Sequence, residues 1–158
     1  MASDTQIVSL ERGQGHSVSQ RWAIELNNQI DRLDFYGDSR FAFVTGDAFT
    51  GNWDAKPVGT LQIFNMDGEM TGSFSLGRRA TFLQMGHNSA IVGSDRVFHA
   101  VNHRGTSLWE FVALHDARSV LFLENTDTIL VAGATRAEVW RRQRVRNEDI
   151  FNTAGYES

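Results

Sequence analysis

The chain has 158 residues, a net charge of −4, 41% hydrophobic and 22% charged residues, and no cysteine. That length supports one domain with a core of its own, and the composition is globular rather than disordered. The charge runs against broad attraction to a polyanion, so no nucleic-acid partner is expected, and the lack of cysteine excludes disulfides, thiolate metal sites and cysteine nucleophiles.

The N-terminal MASDTQIVSL has no cationic segment followed by a long apolar run, and nowhere do 18 apolar residues follow one another. No signal peptide, no membrane span and no membrane partner are therefore expected, and the cysteine-free composition suits the cytoplasm. In chain order, bulky β-formers cluster in runs of four to eight residues separated by Gly, Asn and Asp, which is the pattern of strands joined by turns. Twelve strands are predicted, over 21–26, 30–36, 40–45, 59–65, 70–76, 80–85, 89–93, 96–102, 107–114, 118–123, 128–132 and 135–141. Helical spacing is confined to the tail from Asn147 onward, and the single proline, Pro57, falls in an irregular stretch where its missing N–H is harmless.

Degenerate internal repeats run through these strands. Leu61-Gln-Ile-Phe-Asn-Met-Asp-Gly68 followed by Ser73-Phe-Ser-Leu76 matches Val97-Phe-His-Ala-Val-Asn-His-Arg-Gly105 followed by Leu108-Trp-Glu-Phe111, with Asn65 and Asn102 in equivalent places. Asn suits a turn entry and Gly supplies the positive φ that closes a tight hairpin. A second series is Phe41 to Gly46, Ala90 to Gly93 and Ile129 to Gly133; a third is Leu33 to Phe35, Phe82 to Met85 and Val120 to Leu123. Together they define an all-β chain of three four-stranded units, with extra residues in the first between Gly46 and Gly59.

This pattern resembles the blades of WD40-like and quinoprotein-like (PQQ-type) β-propellers. Trp53-Asp54 lies in the inserted loop rather than at a strand end, unlike the WD40 signature. The resemblance implies one domain over 1–158 with blade-like repeats at about 30–79, 80–117 and 118–142, strand 21–26 outside them, and a C-terminal tail over 143–158. A β-sandwich or barrel of the same strands is the alternative. Three blades leave open edges, where a closed propeller has four or more. Arg21-Trp-Ala-Ile-Glu-Leu26 resembles Leu108 to Leu114, an outermost blade strand, while the third repeat shows only three strands; two chains that exchange this strand would form a homodimer and close a six-bladed ring.

Candidate chemistry is sparse. His99 and His103 sit four apart on a strand and its turn, too far along the pleat for easy chelation, so neither a metal nor another cofactor is expected. No Gly-x-Ser-x-Gly elbow is present, the acidic residues are scattered through turns, and no catalytic residue is assigned. Gly13-Gln-Gly15 lacks the strand-to-helix setting of a phosphate loop. Phe49 and Trp53, large aromatics on a polar loop, suit anchors for a partner protein. Arg141, Arg142, Arg144 and Arg146 concentrate positive charge that could pair with an acidic partner. Trp22, Trp109 and Trp140 are assigned to packing between repeats.

The expected function is a non-catalytic protein-interaction or assembly module, with inhibitor or immunity-type proteins fitting by size. The alternative is a small-ligand or carbohydrate-binding, lectin-like propeller whose turns carry His87, Asn88, His115 and Asp116 on one face.

Overall fold

The computed structural model describes residues 6–145 and 148–153. Among the described residues every regular element is a strand except one short 3-10 turn at Glu124–Thr126, and no helix is long and apolar enough to cross a membrane. Strands β1 (Gln6–Arg12) and β2 (Val18–Glu25) form a hairpin. A first four-stranded sheet follows, from β3 (Asn28–Tyr36), β4 (Arg40–Ala48), β5 (Thr60–Asn65) and β6 (Met70–Ser75). The second sheet holds β7 (Phe82–Met85), β8 (Ser89–Ser94), β9 (Val97–Asn102) and β10 (Ser107–Val112). The third holds β11 (Ser119–Leu123), β12 (Thr128–Ala132), β13 (Ala137–Val145) and β14 (Glu148–Thr153). All pairings are antiparallel between chain neighbours, and no described sheet closes into a barrel.

Two of these strands differ from the sequence reading. Strand 21–26 has a partner within its own chain: β1 pairs with it from Gln6↔Glu25 to Arg12↔Val18, and Gly13-Gln-Gly15 forms the hairpin turn, with Gly13 N–H donating to Ser17 O at 2.9 Å. The third repeat also has its fourth strand. β14 occupies the stretch read as a tail with helical spacing, paired to β13 from Trp140↔Thr153 to Val145↔Glu148. The missing last strand on which the strand-exchange expectation rested is therefore present, while strand 21–26 pairs in a two-stranded hairpin outside the three four-stranded sheets. Local spacing near Asn147 loses to the ladder that β13 offers, because strand stability comes from the neighbour rather than the segment.

Sheet follows sheet face to face, with one core between each adjacent pair. Ile7, Trp22 and Ile24 of the hairpin pack on Phe41, Phe43 and Phe64 of the first sheet. Ala42, Val44, Leu61 and Ile63, on that sheet's opposite face, meet Leu83, Met85, Ala90 and Val92 of the second. Ile91, Phe98, Trp109 and Phe111 then meet Val120, Phe122, Ile129 and Val131 of the third. Strict alternation on each strand makes this possible, since successive side chains point to opposite faces. The three tryptophans assigned to packing all sit in these layers: Trp22 stacks on Phe41 at 5.6 Å, Trp109 meets Phe122 edge-on at 5.3 Å, and Trp140 meets Phe111 edge-on at 5.2 Å.

The two matched turns agree atom for atom. Asn65 Oδ1 accepts from Asp67 N and Glu69 N, each at 3.0 Å, and Asn102 Oδ1 accepts from Arg104 N and Thr106 N, each at 3.0 Å. Gly68 and Gly105 close them at φ 82° and 87°. These glycines also seat the preceding layer. A Cβ on Gly68 would lie 2.8 Å from Trp22 Cδ2, and one on Gly105 would lie 2.6 Å from the Ser73 backbone nitrogen. Thus each turn lies against the preceding layer, the first on the Trp22 indole of β2 and the second on the Ser73 backbone of β6.

Gly105→Ala should therefore cost more than its φ alone. Gly51 has φ 76° but open space around it, so Gly51→Ala should cost about 1 kcal/mol and Gly105→Ala about 3 kcal/mol or more in denaturant unfolding. A second prediction concerns His99, whose ring packs at 5.2 Å from Phe74 between the first two sheets. Burial lowers its pKa; exposed Glu110, 3.7 Å away, opposes that shift and Arg78 adds to it. The unfolded chain then binds the proton more readily, so stability is full above about pH 6.5 and falls as pH drops below it. Thermal melts from pH 7.5 to 5.5 should show this fall, and His99→Gln should flatten it.

Candidate functional site

The β4–β5 loop is the best-built surface feature. It leaves the first sheet at Ala48 and is tied to Asn27 and Asn28 at the start of β3. Asn28, 4% exposed, donates from Nδ2 to Lys56 O at 2.8 Å and to Gly46 O at 3.1 Å, while its Oδ1 accepts from Lys56 N at 2.8 Å. Asn52 Nδ2 donates to Asn27 Oδ1 at 2.8 Å, Asn52 Oδ1 accepts from Asp54 N at 2.9 Å, and Phe49 N–H donates to Asn27 O at 3.2 Å. Thr45 and Thr60 hydroxyls both donate to Pro57 O. Short asparagine side chains replace the backbone partners that an eleven-residue irregular segment lacks.

The two predicted aromatic anchors part company here. Phe49 folds back against the core layer between hairpin and first sheet, whereas Trp53 is 98% exposed. Between them lies a shallow groove of about 440 Å³, whose lining includes Phe49, Trp53, Glu25, Asn27, Asn52 and Asp54. A flat indole beside two carboxylates is suited to a side chain with a cationic head and an apolar stem.

At the opposite end of the sheets lies a cleft of about 500 Å³, where the ends of β3, β7 and β11 meet; its lining includes Tyr36, Gln84, His87, Phe122, Glu124 and Asn125. Tyr36 Oη lies 3.5 Å from His87 Nδ1, and Glu124 Oε1 accepts from Ser89 Oγ at 3.3 Å. Tyr36 and Glu124 escaped the sequence reading because nothing local marks them; they lie 51 and 37 residues from His87 in sequence, and the ends of β3 and β11 bring them to it.

The other predicted residues are dispersed. His87 and Asn88 lie in the β7–β8 turn, Asn88 N–H donating to Glu124 Oε1 at 3.4 Å. His115 and Asp116 lie in the β10–β11 link at the far end, where His115 pairs with Arg136. Three antiparallel strands separate the two pairs, and an odd number of strand crossings puts them at opposite ends, so they do not share one face. Arg141 is exposed on β13, Arg142 and Arg144 are in register with Phe151 and Asp149 of β14, and Arg146 lies outside the described residues. This arginine strand is two sheets away from Trp53. His103 Nε2 contacts His87 O at 2.7 Å and His99 sits against Phe74, so the two do not converge. Among the described residues no three His, Asp or Glu side chains are grouped to hold a metal ion.

No family model and no curated protein matches the sequence. Among solved structures, the chain is similar to a protein of unknown function from Bacteroides caccae, with 14% identity over 96% of this chain and 74% of that one, at a TM-score of 0.37.

Asn28 is the residue on which the loop's placement depends. Asn28→Ala leaves the Lys56 N–H and two carbonyls without their partners, so unfolding in urea should show a loss of about 1–3 kcal/mol, and limited proteolysis should cut within 49–58 where the parent chain resists.

Proposed function

We propose that this chain is a non-catalytic protein-interaction module of β-propeller type that takes its partner at the Trp53 loop. One observation carries the reading: a tryptophan is held 98% exposed on a loop whose backbone is fixed by Asn27, Asn28 and Asn52. An exposed indole loses apolar hydration free energy without return inside the monomer, while a pre-ordered loop removes the entropy cost of binding. Tryptophan is also the residue type most enriched among interface residues that dominate binding. The partner that suits the groove presents a basic and apolar segment to Trp53, Glu25 and Asp54, and the net charge of −4 would speed its approach. The propeller reading draws support from the first strands of successive sheets, β3, β7 and β11, lying together, and from the repeated Asn-x-x-Gly turn. A cytoplasmic setting rests on the cysteine-free composition.

A small polar ligand in the cleft of Tyr36, His87 and Glu124 is the second reading, favoured by its volume and by the carboxylate and imidazole on its wall.

A photoreactive phenylalanine at position 53 should give a discrete adduct with one protein, and the same group at exposed Leu114 should not. Trp53→Ala should leave the melting temperature within about 1 °C and weaken binding of that partner by about thirty-fold or more. An unchanged affinity would contradict the loop reading; a small molecule that raises the melting temperature of the parent but not of Glu124→Gln would favour the cleft.

A further inference from the structure

The first strands of the three sheets are tied to one another twice in the same manner. Asp34 Oδ2 of β3 accepts from the Met85 backbone N–H of β7 at 2.7 Å, and Gln84 Oε1 of β7 accepts from the Phe122 backbone N–H of β11 at 3.3 Å. These ties set the spacing of the strand ends and so fix the walls of the cleft of about 500 Å³ that lies at them. Met85, Ile91 and Phe122 on those walls are buried, so the walls belong to the packed layers rather than to loops.

Among the described residues Glu124 carries the one carboxylate on the cleft's wall, and no lysine or arginine lines it. The half-buried carboxylate is held in place by the β7–β8 turn. Oε1 accepts from Asn88 N at 3.4 Å and from Ser89 Oγ at 3.3 Å, and it lies so close over Gly86 that a Cβ there would overlap it. Two bonds occupy both lone pairs of that oxygen. Oε2 takes no hydrogen bond from a described residue and is not a buried unpartnered atom, so it stays open to a ligand. The same holds for Nε2 of Gln84. Leu123 and the ring of Tyr36, 40% and 37% exposed, supply apolar surface on the same cleft.

We infer that the cleft binds a primary organic ammonium ion, its head on Glu124 Oε2 and its apolar body on Leu123 and Tyr36. This rests on the cleft reading given above as the second one, and adds the class of ligand. A single open carboxylate oxygen suits a compact point charge, which an ammonium is. A guanidinium pairs best with both oxygens of a carboxylate, as does a sugar diol, and Oε1 is already occupied. An anion would meet Glu124 with no base to offset it. The face of the Tyr36 ring adds attraction for a cation and none for a neutral analogue of the same shape. The cleft lies at the opposite end of the sheets from the Trp53 loop, so either site can fail alone.

The probe is phenethylammonium chloride, titrated into the isotope-labelled full-length chain above about pH 7.5, where an ordinary imidazole is neutral. Saturable shifts are expected at the Gly86, His87 and Asn125 amides, with phenethyl alcohol, phenylacetate and methyl glucoside each at least about ten-fold weaker. Glu124→Gln keeps a side-chain oxygen for Asn88 and Ser89; it should weaken the ammonium at least about ten-fold while the melting temperature stays within about 2 °C. Gly86→Ala, whose Cβ displaces the carboxylate, should weaken it as well, and Trp53→Ala should leave it unchanged. Binding of the alcohol, phenylacetate or the glucoside as tight as that of the ammonium, or an unaltered affinity in Glu124→Gln, overturns the ammonium assignment and leaves the cleft reading standing. If none of the four probes shifts these amides, both fall.

Discussion

The rest of the structure depends on burial of both faces of a sheet. The first and second sheets each carry apolar side chains on both sides, Phe41 and Phe43 against Ala42 and Val44 in β4, and Val92 against Ile91 in β8. Such a sheet is unstable in isolation, because one apolar face would always meet water; burying a side chain of this kind contributes about 1.5–3 kcal/mol. The layers therefore stabilise one another in series, each in contact with its neighbours along the chain. Among the described residues, Leu121 and Leu123 on the outward face of the third sheet are 44% and 40% exposed.

Close stacking sets a demand on the turns. Sheets about 10 Å apart leave room at their ends for backbone only, and Gly68 and Gly105 meet that demand while adopting the left-handed φ their turns require. One residue type thus answers a local and a tertiary constraint together, which explains why the Asn-x-x-Gly segments are the clearest repeat in an otherwise degenerate pattern.

The all-β class and the meander of four-stranded sheets were legible because alternation and turn chemistry are local. Asn65 and Asn102 announce their turns with no help from the rest of the chain. What escaped is what depends on partners distant in sequence. β1 has a modest apolar content and becomes a strand because β2 offers a ladder; β14 does so because β13 does. The separation of His87 from His115 follows from counting the strands crossed between them, a step that resemblance between turns hides. Of the candidate site, Trp53 could be read from its polar surroundings, but its parting from Phe49 could not, since both are aromatic residues of one loop and only the core beneath decides which turns inward. The Asn27-Asn28 corner signalled itself weakly, as a polar pair between two strands.

Function, on this account, is placed where the layers leave a residue they do not use, an indole on a fixed loop. That placement follows from the serial burial of sheets, and native-state amide exchange tests the burial most directly. The account predicts the slowest amides in β4, β5, β8 and β9, the central strands of the two sheets covered on both sides, with β1 among the fastest strands. Slowest exchange in β1 and β2, or in β13 and β14, would contradict it.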